Sequence, residues 1–361
     1  MREFTRSTGI LGAFLILMFT WKGFSAETKS TAAHSSPAAE ITDSSQRRFE
    51  FTYQVRVPDL PASPSPLRIW IPVPTSDTWQ TITSLAIESP IAHRITKENQ
   101  FGNSMAYFDV KLDHARPAFD IAMRFTAVRM EHRVDLSDTK PNANSLAPSG
   151  IEFARFLQPD HLVPIDGVIG ELSKEHTQGA ATPEEKARKI YEYVIATMRY
   201  DKSGTGWGHG DAIWACTAKR GNCTDFHSLF DGMARATGIP ARFEIGFPLP
   251  IGKSQDEISG YHCWTEFYLR GVGWVPIDAS EAWKNPAKHD YLFGANDANR
   301  IQFSMGRDIR LNPSQQSDAL NYFVYPYAEL NGKPFDQLQS HFAFQDLPAT
   351  EPSASAINSS K

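Results

Sequence analysis

From Phe49 the chain alternates strictly, with Phe49, Phe51, Tyr53, Val55 and Val57 on one side and Glu50, Thr52, Gln54 and Arg56 on the other. A period of two predicts a half-buried strand. Further strand-like runs at Leu67 to Val73, Ala106 to Leu112 and Phe119 to Val134 are separated by clusters of Pro, Ser, Asp and Asn. Together they predict an antiparallel β-sandwich over 47–138. The stretch 137–150 (SDTKPNANSLAPSG) has the composition of a linker. Beyond it the period changes. Thr182-Pro183-Glu184-Glu185 reads as a helix start with a capping box, followed by Ala187, Ile190, Tyr191, Val194 and Met198 at helical spacing. The second domain is therefore expected over 150–345, and the fold class is α+β.

The first residues follow neither period. Basic Arg2 and Arg6, an apolar run from Ile10 to Phe19 and small residues up to Ala26 make the pattern of a secretory leader, 1–26. The run is shorter than the roughly 20 residues that span a bilayer, so no stable membrane span is expected after cleavage. An uncleaved anchor reaching Trp21 is the alternative. Stretches 27–46 and 346–361 are polar, small and aperiodic, as disordered segments are. The expected location is the periplasm or the exterior. Removing 1–26 takes three cations and one anion, so the formal charge of −5 becomes −7. Neither value suits nucleic acid as a partner.

Export changes how the three cysteines read, because an oxidising compartment pairs thiols and an odd count leaves one over. Gly221-Asn222-Cys223-Thr224-Asp225 leads into Phe226, Leu229, Phe230, Met233 and Ala234, and the run stops at Gly238-Ile239-Pro240. This is a buried helix with Asn222 as its cap and Cys223 in its first turn, where free amides and the helix dipole favour a thiolate and could hold an oxyanion. Downstream, Tyr261 to Leu269 and Trp274 to Asp278 flank Arg270-Gly271-Val272-Gly273, a hairpin. A three-residue loop over 270–272 pairs 269 with 273 and hence 264 with 278. Asp278 then shares a face with His262 at about 7 to 8 Å between α-carbons; a two-residue loop would separate them. The turn should be bulged and use one of its glycines. A thiol nucleophile needs an imidazole to take and return its proton, and the imidazole needs a carboxylate to fix its tautomer. Cys223, His262 and Asp278 supply that set. His227, four residues after Cys223, is a rival base with no obvious carboxylate of its own beyond Asp231, so His262 is preferred.

The segments RGNCTDFHSLF, GIPARFEIGFPLP, GYHCWTEFY and GWVPIDASEAW resemble bacterial transglutaminase-like domain proteins, over roughly 150–310. The resemblance implies a papain-like core with Cys223 as nucleophile, His262 as general base and acid, and Asp278 as orienting group. It also implies that an upstream aromatic, Tyr200 or Trp207, helps to hold the oxyanion. Cys216 and Cys263 leave a choice between two buried thiols and one disulfide joining them. His209 and Asp211 sit in GTGWGHGDA, a substrate-side loop or a plain glycine-rich turn. Cys223, His227, His262 and Cys263 lack a compact ligand spacing, so neither metal nor cofactor is expected. The function expected is acyl transfer at amide or peptide carbonyls through a Cys thioester, with protein or peptide as donor and an amine or water as acceptor. The alternative is a non-catalytic binding or scaffold module of the cell envelope on the same fold.

Overall fold

The computed structural model describes residues 45–136 and 151–348. The expectations for the leader, for most of 27–46, for the linker and for the last residues lie outside these ranges. The described residues belong to one compact unit. None of their helices is long and apolar enough to cross a membrane.

Two five-stranded antiparallel sheets share one apolar core. The strand Gln46–Val57 is central to the first, between Phe119–Met130 and Gln339–Asp346. Its alternation is realised residue by residue: Phe49, Phe51, Tyr53, Val55 and Val57 are all buried. Phe51 pairs with both Phe125 and Phe344 across the two ladders and stacks on Phe125 at 5.4 Å. The second sheet runs Lys333–Pro334, Tyr327–Leu330, Leu67–Val73, Ser104–Val110, His93–Lys97. The partition expected from the sequence therefore needs correcting. Tyr327–Leu330 and Gln339–Asp346, expected within the second domain and the tail, pair with the sandwich strands Leu67–Val73 and Gln46–Val57. Phe342 and Phe344 are the physical reason: they pair with Tyr53 and Phe51 of the sandwich and are buried there, Phe342 also meeting Phe247 of the neighbouring sheet at 4.4 Å.

The remainder is a four-stranded antiparallel sheet, ordered Gly273–Ile277, His262–Leu269, Ala241–Pro248, Arg300–Met305. The helix Cys223–Ala236 packs against it. Helices Gly167–His176, Pro183–Thr197 and Ala212–Ala218 enclose that helix, so every residue from Cys223 to Arg235 is buried. The capping box is present, with the Glu185 amide donating to Thr182 Oγ1 at 3.1 Å and the Thr182 amide donating to Glu185 Oε2 at 3.2 Å. The sandwich fixes the edge strand Arg300–Met305 through side-chain amides. Gln80 Nε2 donates to the Gln302 carbonyl at 3.0 Å, and Asn103 Nδ2 to the Met305 carbonyl at 2.8 Å.

Candidate active site

The start of the Cys223–Ala236 helix is over-determined. Asn222 Oδ1 accepts from the Thr224 amide at 2.9 Å, while Asn222 Nδ2 donates to the Tyr261 hydroxyl at 2.9 Å. Asp225 reaches back and accepts three amides, from Asn222 at 2.9 Å, Gly208 at 2.7 Å and Gly210 at 3.0 Å. One buried carboxylate thus ties the helix start to the glycine-rich loop before it. Gly210 adopts φ +62°, and a β-carbon there would crowd Ser228, Thr224 and Arg307. Buried Arg307 secures the other edge of the loop, donating to the carbonyls of His209 at 2.9 Å and Gly210 at 2.7 Å. Neither His209 nor Asp211 projects chemistry inward. His209 is exposed, and Asp211 caps the Ala212–Ala218 helix by accepting from Ile213 and Trp214.

The hairpin register is the one chemistry requires. Leu269 pairs with Gly273 and Thr265 with Ile277, across a three-residue loop in which Gly271 takes φ +83°, and Gly273, which closes it, takes φ +107°. Asp278 follows the strand and caps the helix Ala279–Lys284. His262 Nε2 lies 2.7 Å from Asp278 Oδ2, which leaves Nδ1 as the ring nitrogen not facing the carboxylate, and Cys223 is close enough to help raise the imidazole. All four acceptor directions of Asp278 are engaged. Oδ2 also receives Arg300 at 3.0 Å, and Oδ1 receives the Ser280 hydroxyl and the Glu281 amide at 3.0 Å each.

Burial raises the Cys223 thiol, but hydrogen bonds from Cys263 and His262 and the charge of His262 outweigh it and hold the thiol well below its ordinary range. Burial lowers His262, and the Asp278 charge and hydrogen bond outweigh that, pushing the imidazole up to about 10. Burial would raise Asp278, yet His262 and Arg300 hold it well below the carboxylate range. Thiolate, imidazolium and carboxylate are the mutually consistent charge states at neutral pH.

His227 takes a different role. Its Nε2 accepts the Ala279 amide at 3.1 Å, so that nitrogen carries a lone pair and Nδ1 carries the proton, which faces Cys263 Sγ at 3.6 Å. Burial lowers it to about 4, overriding the nearby charges of Asp278 and Cys223. Its near carboxylate is Asp278, 3.5 Å away, and not Asp231, which accepts from the Thr265 hydroxyl.

Cys216, Cys223 and Cys263 are free thiols, so the disulfide weighed between Cys216 and Cys263 is corrected. The two belong to different apolar clusters. Cys216 packs among the helices and bonds the Ile213 carbonyl, while Cys263 packs beside Cys223. Of the two aromatic candidates, Tyr200 is close enough to feel the Cys223 charge. Burial first, and then that charge, push its phenol up to about 12. Trp207 is not available, because its indole N–H is committed to the Gly204 carbonyl at 3.1 Å. Sequence reasoning missed Arg300, Tyr261 and Lys284. The Lys284 ammonium lies 3.8 Å over the Tyr200 ring. Their contacts cross strands or helix ends, and no spacing rule reports them. Among the described residues, no group of three or more His, Cys, Asp or Glu is arranged to hold a metal ion.

Residues 170–279 match the Transglutaminase-like superfamily. The matched segment forms a transglutaminase-like domain. Cys223, His262 and Asp278 all fall inside it. The chain as a whole is similar to an uncharacterized protein of Haemophilus influenzae (strain ATCC 51907 / DSM 11121 / KW20 / Rd), 27% identical over 337 residues, which covers 82% of this chain and 88% of that one. A second similar protein, the uncharacterized protein ML0607 of Mycobacterium leprae (strain TN), is 23% identical over 212 residues, 55% of this chain and 71% of its own. Among solved structures, a candidate cysteine protease from Cytophaga hutchinsonii superposes with a TM-score of 0.56 at 16% identity, over 85% of this chain and 94% of that one. At that identity the likeness shows a shared fold. The fold is thus shared, over most of this chain, with the Cytophaga hutchinsonii protein.

Proposed function

We propose that the protein is an exported thiol enzyme that transfers acyl groups from amide or peptide carbonyls through a thioester on Cys223. The observation that carries this reading is the relay from Cys223 through His262 to Asp278. It couples a depressed thiol to a raised imidazole and leaves His262 Nδ1 on the sulfur side. In the first half-reaction the Cys223 thiolate attacks the carbonyl carbon, and His262 gives its Nδ1 proton to the departing amine. In the second, His262 takes a proton from the acceptor, an amine or water, as it attacks the thioester and frees Cys223. Asp278 stays ionised and holds the ring by Nε2, and Arg300 holds Asp278. With the Thr224 and Asp225 amides committed to Asn222, the Cys223 amide, with Tyr200 as candidate partner, faces the developing oxyanion. Export is supported by the leader pattern of residues 1–26.

The test is mass analysis of products from Gln-containing peptides with and without an added primary amine, with Cys223→Ala as control. Amine incorporation, deamidation and cleavage give distinct mass changes, so the acceptor is read directly. The expected result is a product that the control abolishes. No product in any channel, together with a Cys223 that alkylates no faster than a model thiol, would overturn the proposal in favour of a binding module.

A further inference from the structure

A second thiol stands beside the first. Cys263 follows His262 in the strand, but its side chain takes the opposite face and meets the Cys223 helix. Its Sγ lies 3.9 Å from Thr224 Oγ1 and 3.6 Å from His227 Nδ1, the residues one and four positions after Cys223. The two thiols lie close enough to shift one another, Cys263 lowering Cys223 and Cys223 raising Cys263. Both are in the same apolar cluster, Cys263 is fully enclosed, and what little exposure the pair has belongs to Cys223, at 2%. The acyl-transfer chemistry proposed above uses one sulfur and gives no role to the other.

We infer that Cys223 and Cys263 form a peroxide-responsive dithiol, in which oxidation at Cys223 is captured by Cys263 as a reversible disulfide that shuts the site. In the first step the Cys223 thiolate attacks one oxygen of a hydroperoxide. The S–O bond forms, the O–O bond breaks, and hydroxide or alkoxide leaves to be protonated. In the second, the Cys263 sulfur attacks the Cys223 sulfur. The S–S bond forms, the S–O bond breaks, and the hydroxyl departs with the Cys263 proton as water. Two thiols are oxidised by two electrons and one peroxide is reduced. The arrangement orders the steps. While Cys223 is anionic, burial and that charge keep Cys263 protonated and unreactive, well above its ordinary range. Once Cys223 carries oxygen its charge is gone, and Cys263 is released as the resolving thiol. His227, neutral and with its Nδ1 proton facing Cys263, steadies the developing thiolate. Cys216 lies in the other cluster and takes no part.

The inference rests on the thiolate character of Cys223 that the proposed function also uses, and its readout is mass, not turnover. The reduced full-length chain is titrated with hydrogen peroxide, quenched with an alkylating agent and mapped by peptide mass spectrometry. Wild type, Cys216→Ser and the near-isosteric Cys263→Ser are compared. The expected product in wild type and Cys216→Ser is a Cys223–Cys263 bridged peptide that dithiothreitol reverses. In Cys263→Ser, Cys223 should pass on to sulfinic and sulfonic acids, and the fraction recovered by dithiothreitol should fall at least about tenfold. Folding of each variant is checked by circular dichroism, and Cys263→Ala serves if the serine variant does not fold. If Cys223 alkylates rapidly but goes to sulfinic acid with Cys263 still free, the inference is overturned and acyl transfer stands. If a bridge forms but no peptide is ever processed, acyl transfer falls and the dithiol stands.

Discussion

One face of the four-stranded sheet carries buried charge at both of its ends. At one end His262 and Asp278 meet Arg300; at the other Arg242 bridges Glu266 and Glu244, at 2.9 Å and 3.1 Å, with His132 3.0 Å from Glu266. Trp264 separates them, with the Arg300 guanidinium 4.9 Å over its ring and its indole N–H donating to Glu244 at 2.7 Å. Both ends shift the groups they bury. Burial raises Glu244, and at Glu266 Arg242 and His132 outweigh burial and lower it. Perturbed titration alone therefore does not distinguish a reactive end from a structural one. The difference is that His262 lies close enough to a thiol, Cys223, for each to shift the other, while no thiol is among the groups that shift Glu244 and Glu266.

Matched substitutions break this comparison most strongly. Asp278→Asn should lower kcat/KM by about a thousandfold or more, because the amide no longer fixes the His262 tautomer or supports its cation. Glu266→Gln should change kcat/KM by less than about threefold, yet cost about 3–5 kcal/mol in denaturant unfolding, because it leaves Arg242 and His132 half-paired in the interior. Equal losses of activity in the two variants would mean that the far end is also part of the chemistry.

A pH series sharpens the same contrast. The alkylation rate of Cys223 should stay high down to well below pH 8.5, the ordinary thiol range, and fall only as the depressed thiol takes up its proton. At about pH 10 His262 loses its proton and processing activity should decline. The stability linkage follows the same groups. The raised His262 contributes fully below about pH 6.5 and loses its contribution as pH rises through about 10. The depressed Asp278 contributes above about pH 3.9 and loses its contribution as pH falls through its folded value. An alkylation midpoint near 8.5 would remove the ion pair from the picture.

What the chain discloses by itself tracks how local each cause is. The Thr182 box, the Asn222 cap, the alternation of Phe49 to Val57 and the register across Gly271 to Gly273 are all written within about ten residues, and each appears as expected. The edge strands Gln80–Glu88 and His93–Lys97 were illegible because most of their residues are exposed and carry no alternation. The return of Gln339–Asp346 to the sandwich depends on pairing with a strand almost three hundred residues away, which no window contains. Within the site Cys223, His262 and Asp278 could be named as candidates from motif and register. Arg300, Tyr261 and the pairing of Cys263 with Cys223 depend on how helix and sheet dock, and so came only with the fold.

The two aromatic candidates give the next effect in size. Tyr200→Phe should lower kcat about tenfold with little change in KM, if its hydroxyl is a donor used only as the oxyanion forms. Trp207→Phe should leave both within about twofold, since the indole N–H it removes serves Gly204. The opposite ranking would move the oxyanion site to the glycine-rich loop.

The smallest effect on rate separates the two histidines that flank Asp278. His227 is four residues after Cys223, and proximity alone would make it a base. Its Nε2 is already an acceptor for the Ala279 amide, its proton is on the nitrogen facing Cys263, and at about 4 it remains neutral through the working range. His227→Gln can keep the acceptor for Ala279 and the donor toward Cys263 in a side chain that does not titrate. It should therefore lower kcat/KM by less than about tenfold and cost about 1–3 kcal/mol, the penalty for an imperfectly satisfied buried amide. The alkylation midpoint of Cys223 should move only slightly. His262→Gln should bring that midpoint back toward the ordinary thiol range, because it removes the cation itself. If His227→Gln moved the midpoint as far, the proton held at Cys223 would be shared between both imidazoles, and the distinction drawn from the Ala279 hydrogen bond would fail.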